Sequence, residues 1–189
     1  NLLKFADELG NFNVEKYSKA NKLISIALDI ANDAASYPVE SIARTSPEFR
    51  TIGLGYGNLG ALLMRKGLAY DSDEAINLAD RIGAILQDTA DRYSSHLGKL
   101  KGNFPAFNKS TLNIENGGKW ETMRNAWRLS IAPTGTISMI SNCSSGIEPL
   151  FGIAYKKHNM SAALEGIELF YINEDLKKQL DNNIIDEEN

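Results

Sequence analysis

The segment Leu129-Ser-Ile-Ala-Pro-Thr-Gly-Thr-Ile-Ser138 gathers the residue types that hold an anion. A short apolar run stops at Pro133, and Thr134, Gly135, Thr136 and Ser138 follow before Met139-Ile140. A helix opening near Thr134 leaves its first N–H groups without intrahelical acceptors and turns the positive end of its dipole outward. Gly135 lets a phosphate approach the backbone, and the three hydroxyls are further donors. No Gly-Lys-Ser/Thr ending follows, so this is no P-loop and the chemistry is general anion binding. The same residue types also suit a plain helix cap, with Thr and Ser serving the chain's own N–H groups.

A second stretch, Gly53 to Gly60 (GLGYGNLG), spells G-x-G-x-x-G at Gly55, Gly57 and Gly60. In a chain with 15 glycines that pattern has weight only after a strand, before a helix and with an acid about 20 residues on. Only Thr51 and Ile52 separate Arg50 from Gly53, and Asp71 and Asp73 follow a Gly67–Tyr70 segment too short for a second strand. The expectation is close backbone packing at a strand-to-helix crossing, not a dinucleotide loop.

The other reactive side chains are isolated. Cys143, in Asn142-Cys-Ser-Ser-Gly146, has no nearby His to activate it. His96 and His158 lack metal-ligand spacing. Glu148, before Pro149, is expected to hold a loop by accepting backbone N–H bonds. Tyr37, Trp120 and Trp127 are expected in the core.

The elements that must carry these residues are mostly helical. Leu2 to Phe5 reads as a short strand ending in a turn at Gly10-Asn11. With Asn13 as cap, Ala20, Leu23, Ile24, Ala27, Leu28, Ala31 and Ala34 recur at helical spacing, and Tyr37-Pro38 ends the run. A polar segment containing Pro47 leads to the glycines, and a short helix from Ala61 to Met64 ends at Gly67. Asp71 with Glu74 resembles a capping box for a helix reaching about Leu97, with Ala75, Leu78, Ala79, Ile82, Ile85, Leu86, Ala90 and Tyr93 on one face. Lys99 to Gly118 is loop-rich, Trp120 to Trp127 reads as a short helix, and Arg128 to Ala132 as a short strand. The tail from Ser161 is expected to be helical in parts.

With 189 residues, 43% hydrophobic and 23% charged, the chain has material for one ordinary globular core. A net charge of −4 leaves no basic stripe for nucleic acid. No apolar run is long enough to span a membrane. The single cysteine cannot form an internal disulfide, which suits a reducing cytoplasm. Beginning at Asn1 and not Met, the chain is expected to be a processed product or a fragment.

Arg124-Asn125, IAPTGTIS, and CSSGIEPLF from Cys143 to Phe151 resemble the large catalytic subunit of ribonucleotide reductase, particularly its adenosylcobalamin-dependent class. ASYPVESIA (Ala35 to Ala43) and GLGYGNLGALLMRKGLAYDSDEA (Gly53 to Ala75) resemble the same class, in the same order, from about Asn1 to Tyr155. The resemblance implies an α/β fold, the helix-rich second half of a ten-stranded α/β barrel, with residues 1–189 as the C-terminal half of that catalytic domain. It implies that Pro133, Thr134, Gly135, Thr136, Ile137 and Ser138 bind the substrate's phosphates. It also makes the glycine stretch barrel scaffold.

The family's radical cysteine lies in an Asn-x-Cys-x-Glu motif that is not present here, and its redox cysteine pair is missing because Cys143 is alone. The resemblance therefore implies a portion of a ribonucleoside-diphosphate or triphosphate reductase that is inactive by itself. Its partners would be the ribonucleotide, the missing N-terminal half and a thiol reductant such as thioredoxin, with adenosylcobalamin in the complete enzyme. A natural split subunit, an intein-interrupted product and an engineered piece remain open. So do the iron-dependent class, which shares the barrel, and a non-catalytic phosphate-binding or assembly module.

Overall fold

Asn13 starts the first long helix as expected. Its side chain accepts the Lys16 N–H at 2.9 Å, capping α1 (Val14–Ala34). The computed structural model describes residues 1–158, 168–172 and 177, in two compact units, 1–148 and 149–189.

The face that α1 buries is not the apolar one. Tyr17, Asn21, Ser25 and Asp29, spaced four apart, are buried, while Leu23 is 68% and Ile30 53% exposed. The Ser25 hydroxyl satisfies itself on the Asn21 carbonyl at 2.8 Å, and Asp29 meets cations brought from distant segments. Those polar partners settle the helix's rotation against its hydrophobic stripe. Tyr17 packs edge-on against Phe5 and Phe12, with ring centroids at 5.2 and 5.1 Å.

The longest helix, α4 (Asp73–Lys101), has its expected face. Ala75, Ile82, Leu86 and Ala90 are buried with Leu2, Tyr17, Leu54, Leu59, Leu62 and Leu63 in the main core. Its cap is Ser72, not the Asp71–Glu74 box. The Ser72 hydroxyl accepts the Ala75 N–H at 3.2 Å, and α4 (Asp73–Lys101) runs on past Leu97 to Gly102. Before it lie α2 (Glu40–Phe49) and α3 (Leu59–Arg65). The polar segment with Pro47 is thus helical, because Arg50 closes it in a left-handed conformation (φ 49°) with its N–H on the Ser46 carbonyl.

Three further expectations are corrected. Leu2–Phe5 is a 3₁₀ turn, since Asn1 accepts the Leu3 N–H and tightens the chain. Trp120 to Trp127 is not helical. Its backbone pairs outward, Trp120 with Leu112 and Ile114, Arg124 with Ser94 and Ala126 with Phe49, which leaves no intrahelical ladder. Trp127 is 66% exposed instead of being core. A smaller core of Phe104, Phe107 and Met123 lies under the loop-rich region, with Trp120 packed on it.

The segment Arg128–Ala132 is not the short strand expected: Leu129 forms one isolated parallel bridge with Leu54, with neighbouring backbone bonds to residues 52–54. Ile52 N–H donates to Trp127 O (2.9 Å), Leu54 N–H to Arg128 O (2.8 Å), and Ser130 N–H to Leu54 O (3.0 Å). The short helix α5 (Gly135–Ile140) follows.

In the second unit, β1 (Ala154–His158) and β2 (Glu168–Ile172) form an antiparallel pair, with Ala154 opposite Ile172. Residues 168–172 are thus a strand within the tail that was expected to be helical in parts. The rest of the tail expectation lies outside the described residues. Among the described residues the fold is helix-rich, and no helix is long and apolar enough to cross a membrane.

Candidate functional site

Two loops meet at the open end of the paired segments. Gly53 and Gly55 are needed because the other segment passes close by. A Cβ on Gly55 would run into the Ser130 carbonyl oxygen, and one on Gly53 would touch the Ser130 Cβ at 3.0 Å. The glycine stretch is therefore a place of close backbone approach leading into α3, as expected, and it ends in a latch. Asn58 is left-handed (φ 72°) and buried. Its Oδ1 accepts from the Ser144 N–H (2.9 Å) and hydroxyl (3.1 Å), and its own N–H donates to Ser144 O (2.9 Å).

The opposing loop carries the predicted anion residues. Thr134 stands in the left-handed region (φ 53°) at the cap of α5, and its Oγ1 accepts the Gly146 N–H at 2.8 Å. A non-glycine residue there is strained unless its surroundings hold it, and the Gly146 bond is one such hold. Ser138 is buried, donates its hydroxyl to Gly135 O (2.9 Å) and meets the Ser145 hydroxyl (2.8 Å). Its hydroxyl is thus committed to the fold and is not free for an anion. Pro133, Gly135, Thr136 and Ile137 are exposed, and a Cβ at Gly135 would meet nothing within 4 Å. The N–H groups of Gly135, Thr136 and Ile137 precede the first intrahelical bond, made by Ser138 N–H to Thr134 O at 2.9 Å.

Between the loops is a cavity of about 300 Å³. Its walls include Gly53, Gly55, Tyr56 and Gly57 from one loop, Ser130, Thr134, Ile137, Ser138 and Cys143 from the other, and Ile24 and Leu28 of α1. It is lined by glycine, hydroxyls and a few apolar groups. Burial pushes the Cys143 thiol above its ordinary value, so the structure offers no activated thiolate there. Burial likewise raises the Tyr56 phenol.

The remaining candidates do not join this site. His96 is exposed and lies against Tyr93, ring centroids 5.8 Å apart. The side chain of His158 lies outside the described residues. Glu148 does not hold its loop as expected: no backbone N–H among the described residues donates to its carboxylate, and its own N–H donates to Ser145 O (3.0 Å). Among the described residues no three His, Cys, Asp or Glu side chains converge on a metal position. Sequence reasoning missed Asn58, Ser144 and Ser145. An Asn directly after a glycine run, able to adopt positive φ, was the available signal for the first.

The sequence profile described as "Ribonucleotide reductase, barrel domain" matches residues 1–189. The chain is 36% identical over 183 residues to the vitamin B12-dependent ribonucleotide reductase of Rhodopirellula baltica, covering 79% of the chain and 18% of that protein. It is 34% identical to the vitamin B12-dependent ribonucleoside-diphosphate reductase of Thermoplasma acidophilum, covering 87% and 22%. For the protein of the same description from Mycobacterium tuberculosis H37Rv the identity is 40% over 130 residues, covering 69% and 18%. The chain thus spans about a fifth of the length of these curated relatives.

Proposed function

This chain belongs to the ribonucleotide reductase barrel-domain family, and we propose on that premise that it holds a ribonucleotide's phosphates during reduction to the deoxyribonucleotide. The observation that carries the proposal is the turn Pro133–Ser138. It presents three backbone N–H groups without intrahelical acceptors, and one of the three residues, Ile137, lines the neighbouring cavity of about 300 Å³. Thr136 adds a hydroxyl, while Thr134 and Ser138 hold the turn's shape. Such preset donors stabilise an anion without reorganising.

The substrate in this reading is a ribonucleoside diphosphate or triphosphate. Fixing its phosphates places the ribose for a radical thiol and a reducing thiol pair carried by the missing N-terminal half, with a thioredoxin-like dithiol restoring the pair. The two parallel extended segments would be strands of the C-terminal half of the ten-stranded barrel. Exposed Ile131, Ile137 and Ile140, at 74, 61 and 80%, support a covering partner, since such patches rarely face water. The reading places the protein in the reducing cytoplasm, where thiol chemistry persists.

Adenosylcobalamin, proposed from the relatives' names, supplies the radical when bound. A corrin with its axial nucleotide is several times larger than the cavity, so the residues described here do not enclose it. Their part is to bind and orient phosphate.

Gly135→Val tests the proposal. Its side chain fills space outside the protein's own packing, so the fold should persist while pyrophosphate affinity, measured by calorimetry, falls at least about tenfold, or 1.4 kcal/mol. Unchanged affinity would remove the turn from the site. Turnover should need the complementary portion, and activity of this chain alone would overturn the division of labour.

A further inference from the structure

The cavity's two walls can be traced back to one buried carboxylate. Asp29, on the inward face of α1, is 1% exposed. Its Oδ1 accepts from the Arg50 guanidinium at 2.8 Å and the Asn125 amide at 3.1 Å, and its Oδ2 faces Arg124 Nε at 3.3 Å. The same Asn125 amide donates to the Arg50 carbonyl at 3.0 Å, so the two chain segments are also tied directly. Asn125 is fixed a third way, through Ser94 of α4, which donates to its Oδ1 (2.9 Å) and accepts its N–H (3.0 Å). Arg50 and Arg124 also meet Asp33, and Arg124 caps the end of α4 at Lys101 O and Gly102 O.

Arg50 and Asn125 stand where the paired segments begin. Pairing starts beside them, with Ala126 N–H on Phe49 O at 2.9 Å, and runs to Ser130 N–H on Leu54 O. Beyond that point Gly55, Ser130 and Thr134 form the cavity wall. Arg50 has a left-handed backbone (φ 49°), a conformation held only where the surroundings dictate it. Its guanidinium on Asp29 and Asp33 is such a constraint. From Asn125 to Ser130 is five residues, roughly 16 Å of extended chain, and a stiff pair carries an offset at one end to the other.

We propose that Asp29 is a positioning residue: by anchoring Arg50 and Asn125 together it sets the register of the two segments and hence the width of the cavity at their far end. Its carboxylate bonds no cavity group, although Ile24 and Leu28 of the same helix line the cavity. Its effect passes through the backbone ladder, and it is separable from what the cavity binds.

The test uses Cys143, the chain's single cysteine, which lines the cavity. Its alkylation by iodoacetamide is followed on the full chain under conditions where circular dichroism shows it folded. Asp29→Asn keeps the shape and removes the charge; Asn125→Ala keeps every ion pair and cuts the tie between segments. Each should speed alkylation about fivefold, as local opening exposes the thiol. Phe107→Leu, in the separate Phe104–Phe107–Met123 core, serves as a control with a comparable drop in Tm and should leave the rate within about twofold. Should Asp29→Asn not fold, Asn125→Ala carries the test. Clamp variants reacting at the wild-type rate, or Phe107→Leu rising as much as they do, would overturn the proposal. No phosphate or nucleotide enters the assay, so its outcome is independent of the calorimetric one.

Discussion

The paired segments are built in opposite ways at their two ends. At the Phe49–Ala126 end, the Asp33 carboxylate, two guanidinium groups and an amide are packed around Asp29 with nearly every polar atom matched. The exception is Arg50 Nε, which is buried without a partner. At the Gly55–Thr134 end no charged side chain lines the cavity. Glycines, hydroxyls and the first N–H groups of α5 surround open space. The polar groups at the first end are used up on each other, which makes it rigid and unreceptive. Those at the second are partly unspent, which is what a binding end needs. Stability and recognition are thus separated along a ladder of a few residues.

The largest test of that separation is Asp29→Ala. Removing the Asp29 carboxylate leaves the Arg50 and Arg124 guanidinium groups with only the half-exposed Asp33 as counter-ion, and urea unfolding should show a loss of about 3 kcal/mol. Acid should reproduce part of it. Burial alone would raise the Asp29 carboxyl, but hydrogen bonds from Arg50 and Asn125 and the charges of Arg50 and Arg124 outweigh it and hold it below its ordinary 3.8. A carboxyl lowered in the folded state stabilises above the unfolded value, and that contribution is lost as pH falls through the folded one. Wild-type stability should therefore drop below pH 3.8, and Asp29→Asn should flatten that drop. An unchanged acid limb in Asp29→Asn would show that the clamp is not where the charge matters.

A middle-sized effect sharpens the contrast within the cavity itself. Gly55→Ala forces a methyl against the Ser130 carbonyl and should cost about 1–3 kcal/mol. Gly135→Ala meets nothing within 4 Å and should be neutral or stabilising by up to about 1 kcal/mol. Equal thermal shifts in the two would mean that the two loops are not built differently. The smallest effect is expected at Arg92, whose pair with Asp88 has side chains 74 and 60% exposed. Arg92→Ala should leave the unfolding midpoint within measurement error, since a solvated pair of this kind holds little.

What could be read from the sequence follows the same division. Helix α4 was legible because its apolar residues and its buried face coincide. The rotation of α1 was not, because Asp29 finds its partners at Arg50, Arg124 and Asn125, far off in the chain. Periodicity contains no such information. Pro47 hid α2 because the residues that close that helix lie after it. The start of a helix at Thr134 was legible after Pro133, but no side chain caps it, and the commitment of Thr134 to Gly146 and of Ser138 to Ser145 was not legible. Trp120–Trp127 misled for the reverse reason: its spacing suits a helix, but each of its backbone bonds goes to another segment.

The clamp also imposes an order in time. Asp29 reaches Arg50 across 21 residues and Asn125 across 96. Loop-closure entropy makes the longer closure more costly by about 1.3 kcal/mol before any contact offsets it. The arm through Arg50 therefore closes while the chain around α1 and α2 is forming, and the arm through Asn125 waits until α4 is in place to receive it at Ser94. Only then can residues 127–130 run alongside 52–54. On loop entropy alone, the two loops that face the cavity meet only after the clamp's shorter arm has closed.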